Sequence, residues 1–360
     1  MRLALVADNH FRGRERLGVM RDGQDTRLRD KLDSLQQVVD WSIKNSVDVL
    51  CHLGDAFDRP NPGDTVRAAV SEILGKYLDE SEGHIIAVVG NHERIGTISP
   101  WRSESLMSEN LVVAAEPQRV WCGLVNVLCL PESSKSYDPD FVKAVCAKER
   151  NGPHLIIGHG EVRGALAAEN FTIDRGFDPE WLASLGAPAA FFGHFHKRQV
   201  LQQGDFRYGY VGALNRQDFA ERDYETGFLV LEYTNQTLDS AEFIEVPDRP
   251  MVQLEWDETT DFVDVVSLLP PGEPLVKIKL KGRASWMHSS EVQDAIDAVT
   301  HNSMRCVIAP EIIKERVTLS LSTKGFSVDS AFALYLKENK VDEQNAVVGA
   351  EILTAAKQTS

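Results

Sequence analysis

Five short motifs between Asp8 and His196 combine histidine with aspartate or asparagine. They are Asp8-x-His10, Gly54-Asp55-x-x-Asp58, Gly90-Asn91-His92, Gly158-His159 and Gly193-His194-x-His196. Carboxylate, imidazole and amide oxygen ligands together suit hard or borderline divalent metals such as manganese, iron or zinc. Because no thiol belongs to the set, we expect two metal ions that share one carboxylate, with Asp55 as the bridge.

The charge of such a centre predicts its substrate. Two divalent ions bring four positive charges and two ligand aspartates remove two, so the pocket keeps a surplus of about two positive charges. This surplus favours a phosphate ester, although the net charge of the whole chain is −16. Two metal ions can hold a hydroxide nucleophile, polarise phosphorus and stabilise the attacking and leaving oxygens. The motifs therefore predict hydrolysis of a phosphoester.

Each motif follows a short apolar run that is typical of a buried β-strand. The runs are residues 3–7, 47–53, 85–89, 155–157 and 189–192. Stretches with helical spacing lie between them, at residues 29–45, 65–79 and 140–149. Residues 207–211, 228–233 and 242–246 are predicted to add an antiparallel edge. The pattern predicts a layered α/β domain whose ligand site lies beyond the carboxyl ends of the strands.

The pattern changes at Pro247-Asp248-Arg249-Pro250, which marks a predicted domain boundary. Residues 1–246 would form the phosphoesterase domain. Residues 247–310 are predicted to form a small α+β domain, with strands at 251–256, 276–280 and 306–309 and a helix at 289–302. Residues 311–360 are a C-terminal segment in which 327–339 and 342–356 are predicted to be amphipathic helices.

Composition excludes several classes of protein. Hydrophobic residues make up 43% and charged residues 26% of 360 residues, as in a globular chain. The longest apolar runs stop at about five residues, far below the roughly 20 that span a bilayer, and the N-terminal run is too short for a secretory signal. We therefore expect a cytoplasmic protein. The five cysteines are widely spaced and are predicted to be core thiols.

The five motifs resemble those of the calcineurin-like metallophosphoesterase superfamily, over residues 1–246. The resemblance implies an α/β/β/α sandwich and two sets of metal ligands. One metal would take Asp8, His10, Asp55 and His196, and the other would take Asp55, Asn91, His159 and His194. His92 would be a non-ligand acid that meets the scissile phosphate or protonates the leaving oxygen, oriented by Asp58 in a His–carboxylate pair. Glu93 stands where the superfamily more often has aspartate, and it is assigned no role.

Residues 210–221 (Tyr-Val-Gly-Ala-Leu-Asn-Arg-Gln-Asp-Phe-Ala-Glu) and 227–232 are similar to the stretch after the last metal motif in SbcD-type nuclease subunits. The family usually has Gly-Ser where Gly212-Ala213 stands. This resemblance implies a manganese-dependent nuclease of DNA repair and recombination, an exonuclease on double-stranded ends and an endonuclease on single-stranded or hairpin DNA. It also implies a capping domain over residues 250–310, a homodimer, and an SbcC-like coiled-coil ATPase as partner.

Basic residues near the predicted centre are candidates for DNA contact. Residues 12–31 carry seven lysines or arginines against four acids, and Arg12, Arg14 and Arg16 directly follow the first motif. They could contact the DNA backbone or form a solvated loop. Lys277, Lys279 and Lys281 alternate along one predicted strand and could form either a DNA-facing ridge or the solvated face of an antiparallel strand.

Three functions compete at this stage. A DNA nuclease subunit would obtain from its ATPase partner the positive DNA-binding surface that an acidic chain lacks. The C-terminal helices could dock that partner or simply pack on their own domain. A stand-alone phosphodiesterase or phosphatase for small nucleotides would use the same metals. An architectural subunit with a vestigial site is disfavoured, because all seven ligand positions and His92 are intact.

Overall fold

The computed structural model describes residues 1–94, 101, 108–149, 151–168, 171–313, 328–338, 347, 349–350 and 353–354. The chain divides into two compact units, Met1–Ile312 and Ile313–Ser360. Of the helices that the structure describes, none combines the length and the apolar composition needed to span a bilayer.

The strands of the first unit follow in chain order. They are β1 (Arg2–Val6), β2 (Met20–Arg21), β3 (Gln24–Asp25), β4 (Val49–His52), β5 (His84–Val88), β6 (Leu111–Ala114), β7 (Gln118–Cys122), β8 (Val125–Leu130), β9 (Leu155–His159), β10 (Leu166–Ala168), β11 (Phe171–Thr172), β12 (Ala189–Gly193), β13 (Gln199–Gln203), β14 (Phe206–Tyr210), β15 (Gly227–Thr234), β16 (Thr237–Glu245), β17 (Met251–Asp257), β18 (Leu275–Gly282) and β19 (Arg305–Ile312). The α-helices are α1 (Thr26–Lys44), α2 (Asp64–Glu80), α3 (Pro139–Cys146), α4 (Pro179–Ser184), α5 (Ala284–Met287), α6 (Ser290–His301) and α7 (Val328–Glu338). Among the described residues, 3-10 helices span Phe219–Glu221 and Val265–Leu268.

Two six-stranded sheets form the centre of the first unit, with strand orders β16-β15-β1-β4-β5-β6 and β13-β14-β12-β9-β8-β7. Their inner faces share one core cluster, in which Leu5 and Cys51 of the first sheet meet Val127 and Ile157 of the second. Helices α1 and α2 cover the outer face of the first sheet, and α3 and α4 cover that of the second. Burial of both faces explains the continuous apolar runs. The predicted layered α/β fold is confirmed.

The three predicted closing strands are present, but they belong to two different sheets. Strand β14 lies beside β12 in the second sheet and is parallel to it. Strands β15 and β16 form the antiparallel edge of the first sheet, where β15 pairs with β1.

A small three-stranded sheet of order β17-β18-β19 follows, and helices α5 and α6 pack on it around a core of its own. All three strands are parallel, so the antiparallel alternative for the lysine strand is wrong. Strand β18 is central and alternates buried Ile278 and Leu280 with exposed Lys279 and Lys281. A second cluster, containing Leu17, Phe219, Met251, Leu275 and Met304, joins this sheet to the two-sheet sandwich.

In the second unit, α7 lies within the predicted helix 327–339. Most of the predicted helix 342–356 lies outside the described residues.

Candidate metal centre

The five motifs lie just past the carboxyl ends of five strands. Asp8, Asp55 and Asn91 follow the adjacent strands β1, β4 and β5 of the first sheet, and His159 and His194 stand at the ends of the adjacent strands β9 and β12 of the second. The two sheets meet at this edge, because the backbone N–H of His194 donates to both carboxylate oxygens of Asp8 at 3.0 Å. Residues separated by about 190 positions in sequence are thereby brought together.

Several non-glycine residues at this edge have a positive φ, a backbone conformation that such residues rarely adopt. Asp8, His10, Asp55 and His194 have φ values of 56°, 50°, 52° and 112°. Such left-handed conformations persist only where the surrounding structure enforces them, and they cluster at functional sites. Gly54 lets the His159 ring pack directly against the backbone, since a Cβ at position 54 would overlap that ring.

The first group of donors contains Asp8, His10 and His196, whose ligand atoms all lie within 4.8 Å of one another. The Nε2 atoms of His10 and His196 are 3.1 Å apart. The Nδ1 of His196 lies 2.7 Å from a carboxylate oxygen of Glu221, which places a proton on Nδ1 and the lone pair on Nε2. Two imidazole nitrogens and a carboxylate thus face one small volume.

The second group surrounds Asp55 and Asn91. One carboxylate oxygen of Asp55 is 3.2 Å from His159 Nε2 and 3.9 Å from His10 Nε2, so Asp55 adjoins both groups. Asn91 Oδ1 lies 2.9 Å from His159 Nε2 and 3.1 Å from His194 Nδ1. The Nδ1 of His159 donates to the carbonyl oxygen of Leu53 at 2.9 Å, which leaves its Nε2 facing Asp55.

The electrostatics of the centre favour positive charge. Burial raises the pKa of Asp8 to about 6. Burial also disfavours the charged form of His159, yet Asp55 outweighs it and raises the pKa of His159 to about 9. Burial would raise the pKa of Asp55, but the charge and hydrogen bond of His159 lower it below its ordinary value. The two buried aspartates therefore create a field in which a cation is stabilised.

Two further ligand candidates, His10 and His194, present neutral imidazoles. Burial lowers the pKa of His10 well below its ordinary value. Burial and the neighbouring His159 lower the pKa of His194 to about 4. A neutral imidazole has a free lone pair, which is the form that binds a metal. The carboxylate, amide and imidazole donors therefore fit a pair of divalent cations that share Asp55.

His92 differs from the ligands in its exposure and its partners. Its side chain is 42% exposed, and its Nδ1 lies 3.1 Å from the backbone oxygen of Asp58. The Asp58 carboxylate is 4.0 Å from this nitrogen and lies 3.4 Å from Arg12 Nη1. The His–carboxylate pair thus has a distance of 4.0 Å, and the hydrogen bond of the ring is to the Asp58 carbonyl. The His92 backbone N–H donates to Asp55 at 2.9 Å, which fixes the residue beside the centre.

An open cleft of about 280 Å³ leads to the centre. Arg12 and Arg16 line it, and the side chain of Arg16 is 72% exposed and 3.8 Å from Asp218. Arg14 is exposed outside this lining. A larger cavity of about 580 Å³, between α1 and α2, contains none of the predicted ligands.

The three lysines of β18 do not line the cleft. Lys279 lies 3.2 Å from Glu255, and Lys281 lies 3.4 Å from Glu311. The ammonium of Lys277 lies over the ring of Phe219, 6.0 Å from its centroid.

The sequence did not indicate the roles of three charged residues at the centre, of which Glu93 and Lys31 are buried and Glu221 is half-buried. Glu93 accepts hydrogen bonds from the backbone of Gly90 and Phe57, and burial raises its pKa to about 7. Lys31 donates to the carbonyl of His10 at 3.1 Å. Glu221 holds His196, as described above. Glu221 belongs to the stretch 210–221 that resembles SbcD-type subunits, but the sequence of that stretch does not show that Glu221 contacts His196.

A family model and a curated protein match parts of this chain. The family model described as calcineurin-like phosphoesterase matches residues 1–198. DNA double-strand break repair protein Mre11 of Saccharolobus solfataricus is 26% identical over 211 residues, which cover 56% of this chain and 50% of that protein. The chain thus matches about half the length of this curated relative.

Two solved structures are also similar. A dimetal phosphatase from Danio rerio is 14% identical with a TM-score of 0.41, over 64% of this chain and 92% of that one. A novel archaeal phosphodiesterase is 12% identical with a TM-score of 0.37, over 68% of this chain and 100% of that one. Because the family model covers more than half of the sequence, the chain belongs to the calcineurin-like phosphoesterase family, whose members are metal-dependent hydrolases of phosphoesters.

Proposed function

We propose that the chain is a two-metal DNA nuclease of the SbcD type, acting in DNA repair and recombination in the cytoplasm. It would degrade DNA from double-stranded ends and cut single-stranded or hairpin DNA, with manganese as the metal. The observation that carries the proposal is the convergence of seven donors from both sheets on one edge, with Asp55 between the two groups. The similarity to a DNA double-strand break repair protein supports DNA as the substrate.

The proposed ligand sets are those given by the two groups. Asp8, His10, Asp55 and His196 would hold one cation, and Asp55, Asn91, His159 and His194 would hold the other. Two divalent cations bound there would supply Lewis acidity at phosphorus and would lower the pKa of a water molecule. The protein fixes the donors in place before substrate arrives, because the ring nitrogens of His159 and His196 that face away from the centre are already hydrogen-bonded.

His92 is the proposed proton carrier. With Nδ1 directed at the Asp58 carbonyl, its Nε2 is the nitrogen available to the cleft. A protonated His92 can donate from Nε2 to a phosphate oxygen or to the leaving oxygen. The Asp58 carboxylate lies 4.0 Å from Nδ1 of the same ring, on the side away from the cleft-facing Nε2.

Arg12 and Arg16 are the proposed contacts to the DNA backbone, since both line the cleft. The guanidinium of Arg12 is held by Glu15 and Asp58 at 3.3 and 3.4 Å, so it is ordered before DNA binds. Of the three lysines, Lys277 is included in the proposed contact because it lies beside the turn that carries Glu221. Lys279 and Lys281 already have carboxylate partners.

A partner protein completes the proposal. The net charge of −16 opposes strong binding of DNA by this chain alone, so a basic surface from an SbcC-like coiled-coil ATPase would supply most of the affinity. We propose that the segment 311–360, with α7, docks that ATPase, and that the nuclease acts as a homodimer. Removing the residues after Gly325 should abolish capture of the ATPase and leave nuclease activity intact, and capture undiminished by the truncation would refute docking there.

One experiment separates the nuclease from a small-nucleotide enzyme. Linear duplex, hairpin and single-stranded DNA are incubated with the manganese-loaded protein, in parallel with a cyclic nucleotide and an aryl phosphate. The nuclease proposal predicts turnover of DNA, and the Asp55→Asn variant serves as the inactive control. Turnover of the small esters without any cleavage of DNA would contradict the proposal and identify a stand-alone phosphodiesterase or phosphatase.

A further inference from the structure

Glu221 lies directly behind the candidate ligand His196. One oxygen of its carboxylate accepts a hydrogen bond from His196 Nδ1 at 2.7 Å, and the two side chains are only 14% and 19% exposed. With the proton on Nδ1, the lone pair of His196 stays on Nε2, which lies 3.1 Å from His10 Nε2. The contact thus fixes both the tautomer and the direction of one ring.

The other ligand histidines have different partners. His159 donates from Nδ1 to the carbonyl of Leu53, a neutral group. The Nδ1 of His10 lies 3.9 Å from the Asp58 carboxylate, which is beyond hydrogen-bond distance. Within the described part of the chain, His196 is therefore the ligand candidate whose second nitrogen is hydrogen-bonded to a carboxylate. Such a pairing raises the basicity of the metal-binding nitrogen and fixes the ring.

The turn that carries Glu221 is held on its own side by hydrogen bonds. Glu221 ends the 3-10 helix Phe219–Glu221, and Asp218 caps that helix by accepting from the backbone N–H of Ala220 at 2.7 Å. The second carboxylate oxygen of Glu221 accepts from the backbone N–H of Gln217 at 2.7 Å. Both oxygens of Glu221 thus have partners, and its side chain cannot turn away from His196 without losing them.

The same turn contacts two further parts of the protein. The Gln217 side chain accepts from Lys31 Nζ at 2.8 Å, and Lys31 also donates to the carbonyl of His10. The ring of Phe219 packs in the cluster that contains Met251 of β17 and Leu275 of β18. The position of Glu221 is therefore set jointly by the first metal motif and by the small three-stranded sheet.

We propose that Glu221 is a positioning residue of the metal centre. It keeps His196 Nε2 directed at the cation shared with Asp8 and His10 and strengthens that nitrogen as a donor. The inference rests on the cation-binding role of His196 proposed above, and it does not depend on DNA being the substrate. Glu221 is not one of the proposed cation ligands, so its effect is exerted through His196.

The test is a Co²⁺ titration of the full-length chain after removal of bound metal with a chelator, followed by visible absorption and by metal stoichiometry. Glu221→Ala should weaken binding of one of the two ions by about 10- to 100-fold and change its absorption spectrum. Glu221→Gln should fall between Ala and wild type, because its amide oxygen can still accept one of the two hydrogen bonds of Glu221, without the charge, whereas its NH2 group cannot accept the other. The matched control is Glu225→Gln, an exposed partner of Arg198, which should bind cobalt like wild type.

The outcomes are separable. A Glu221→Ala variant with the cobalt affinity and spectrum of wild type would overturn the inference. A Glu221→Gln variant identical to wild type, together with a weakened Ala variant, would also overturn it, because the charge of Glu221 would then have no role. If Glu221→Ala does not fold, as measured by thermal unfolding of the metal-stripped chain, the isosteric Gln variant carries the test. A wild-type chain that binds no cobalt would overturn the proposed two-metal function itself, and this inference with it.

Discussion

Replacing Asp55 by asparagine removes one negative charge from the centre and keeps nearly the same side-chain volume. The carboxylate of Asp55 lies 3.2 Å from His159 Nε2 and 3.9 Å from His10 Nε2, so one substitution changes the field at both groups of donors. The other carboxylate oxygen accepts the backbone N–H of His92, and an asparagine oxygen can still accept it. We therefore expect the variant to fold and to lose metal affinity at both positions.

The pKa of His159 gives the size of the effect. Asp55 is the largest influence that raises this pKa, to about 9 from an ordinary value of 6.5, against the opposing effect of burial. The difference corresponds to about 3 kcal/mol in favour of a positive charge on His159, to which Asp55 contributes most and Asp8 and the Leu53 carbonyl also contribute. A divalent cation at that place interacts with the same carboxylate at least as strongly, so its affinity should fall by at least about 100-fold.

Isothermal titration with Mn²⁺ and elemental analysis of the purified protein measure this change. Wild type should bind two ions per chain, and Asp55→Asn should retain less than one at micromolar metal. Asp205→Asn, an exposed aspartate in the turn before β14, is the control for loss of charge alone. Two ions bound with wild-type affinity in Asp55→Asn would refute the role of Asp55 as the shared ligand.

Three further predictions concern the same cleft. His92→Ala should lower the rate of phosphodiester hydrolysis by about 100-fold or more with two metal ions still bound; loss of both ions, measured by elemental analysis, would show that His92 is a ligand. Arg16→Ala should raise KM for duplex DNA several-fold with little change in kcat, and it should reduce the salt slope of DNA binding by about one. Arg14→Ala, outside the cleft lining, should have smaller effects. Equal effects of the two substitutions would show that lining the cleft does not identify the DNA-binding arginines. Asp55 raises the pKa of His159 to about 9, so a proton competes with the cation for His159 below that pH. Mn²⁺ affinity measured by titration should therefore rise by about tenfold per pH unit between pH 7 and 9. An affinity that does not change with pH would contradict competition between the proton and the cation.

The placement of the candidate ligands at one edge of the sheets follows from local sequence patterns. Each motif begins directly after an apolar run, and parallel strands place their carboxyl ends at one edge. Asp8, Asp55 and Asn91 therefore had to lie close together once β1, β4 and β5 were neighbours. The meeting of the second sheet with the first at this edge was implied by the family resemblance, and the spacing of residues alone does not contain it.

Several elements were harder to predict. Helix α1 begins at Thr26, three residues before the predicted start, because Asp25 caps it by accepting from the backbone of Arg27 and Leu28. Strands β7 and β8 were not predicted, and β8 carries a buried polar residue, Asn126, inside its apolar run. Arg119 on β7 donates to the Asn126 side chain, and the sequence does not show this contact because it depends on the pairing of β7 with β8.

Long-range side-chain contacts set the remaining limit. Glu221 meets His196 across 25 positions, and no sequence pattern specifies that pair. The predicted pairing of His92 with the Asp58 carboxylate has a distance of 4.0 Å, and the hydrogen bond of His92 to the Asp58 carbonyl could not be read from the sequence. Rotamers are set by packing from several elements, and packing is not visible in the order of residues. For the same reason the lysine strand β18 could not be recognised as the centre of a parallel sheet.

The most direct test of the two-metal centre is an anomalous difference map from a crystal of the full chain grown with Mn²⁺. Two peaks are expected at the edge shared by the two sheets. One should contact Asp8, His10 and His196, and the other should contact Asn91, His159 and His194. Asp55 should contact both. A single peak, or peaks that leave Asp55 without a metal contact, would contradict this expectation.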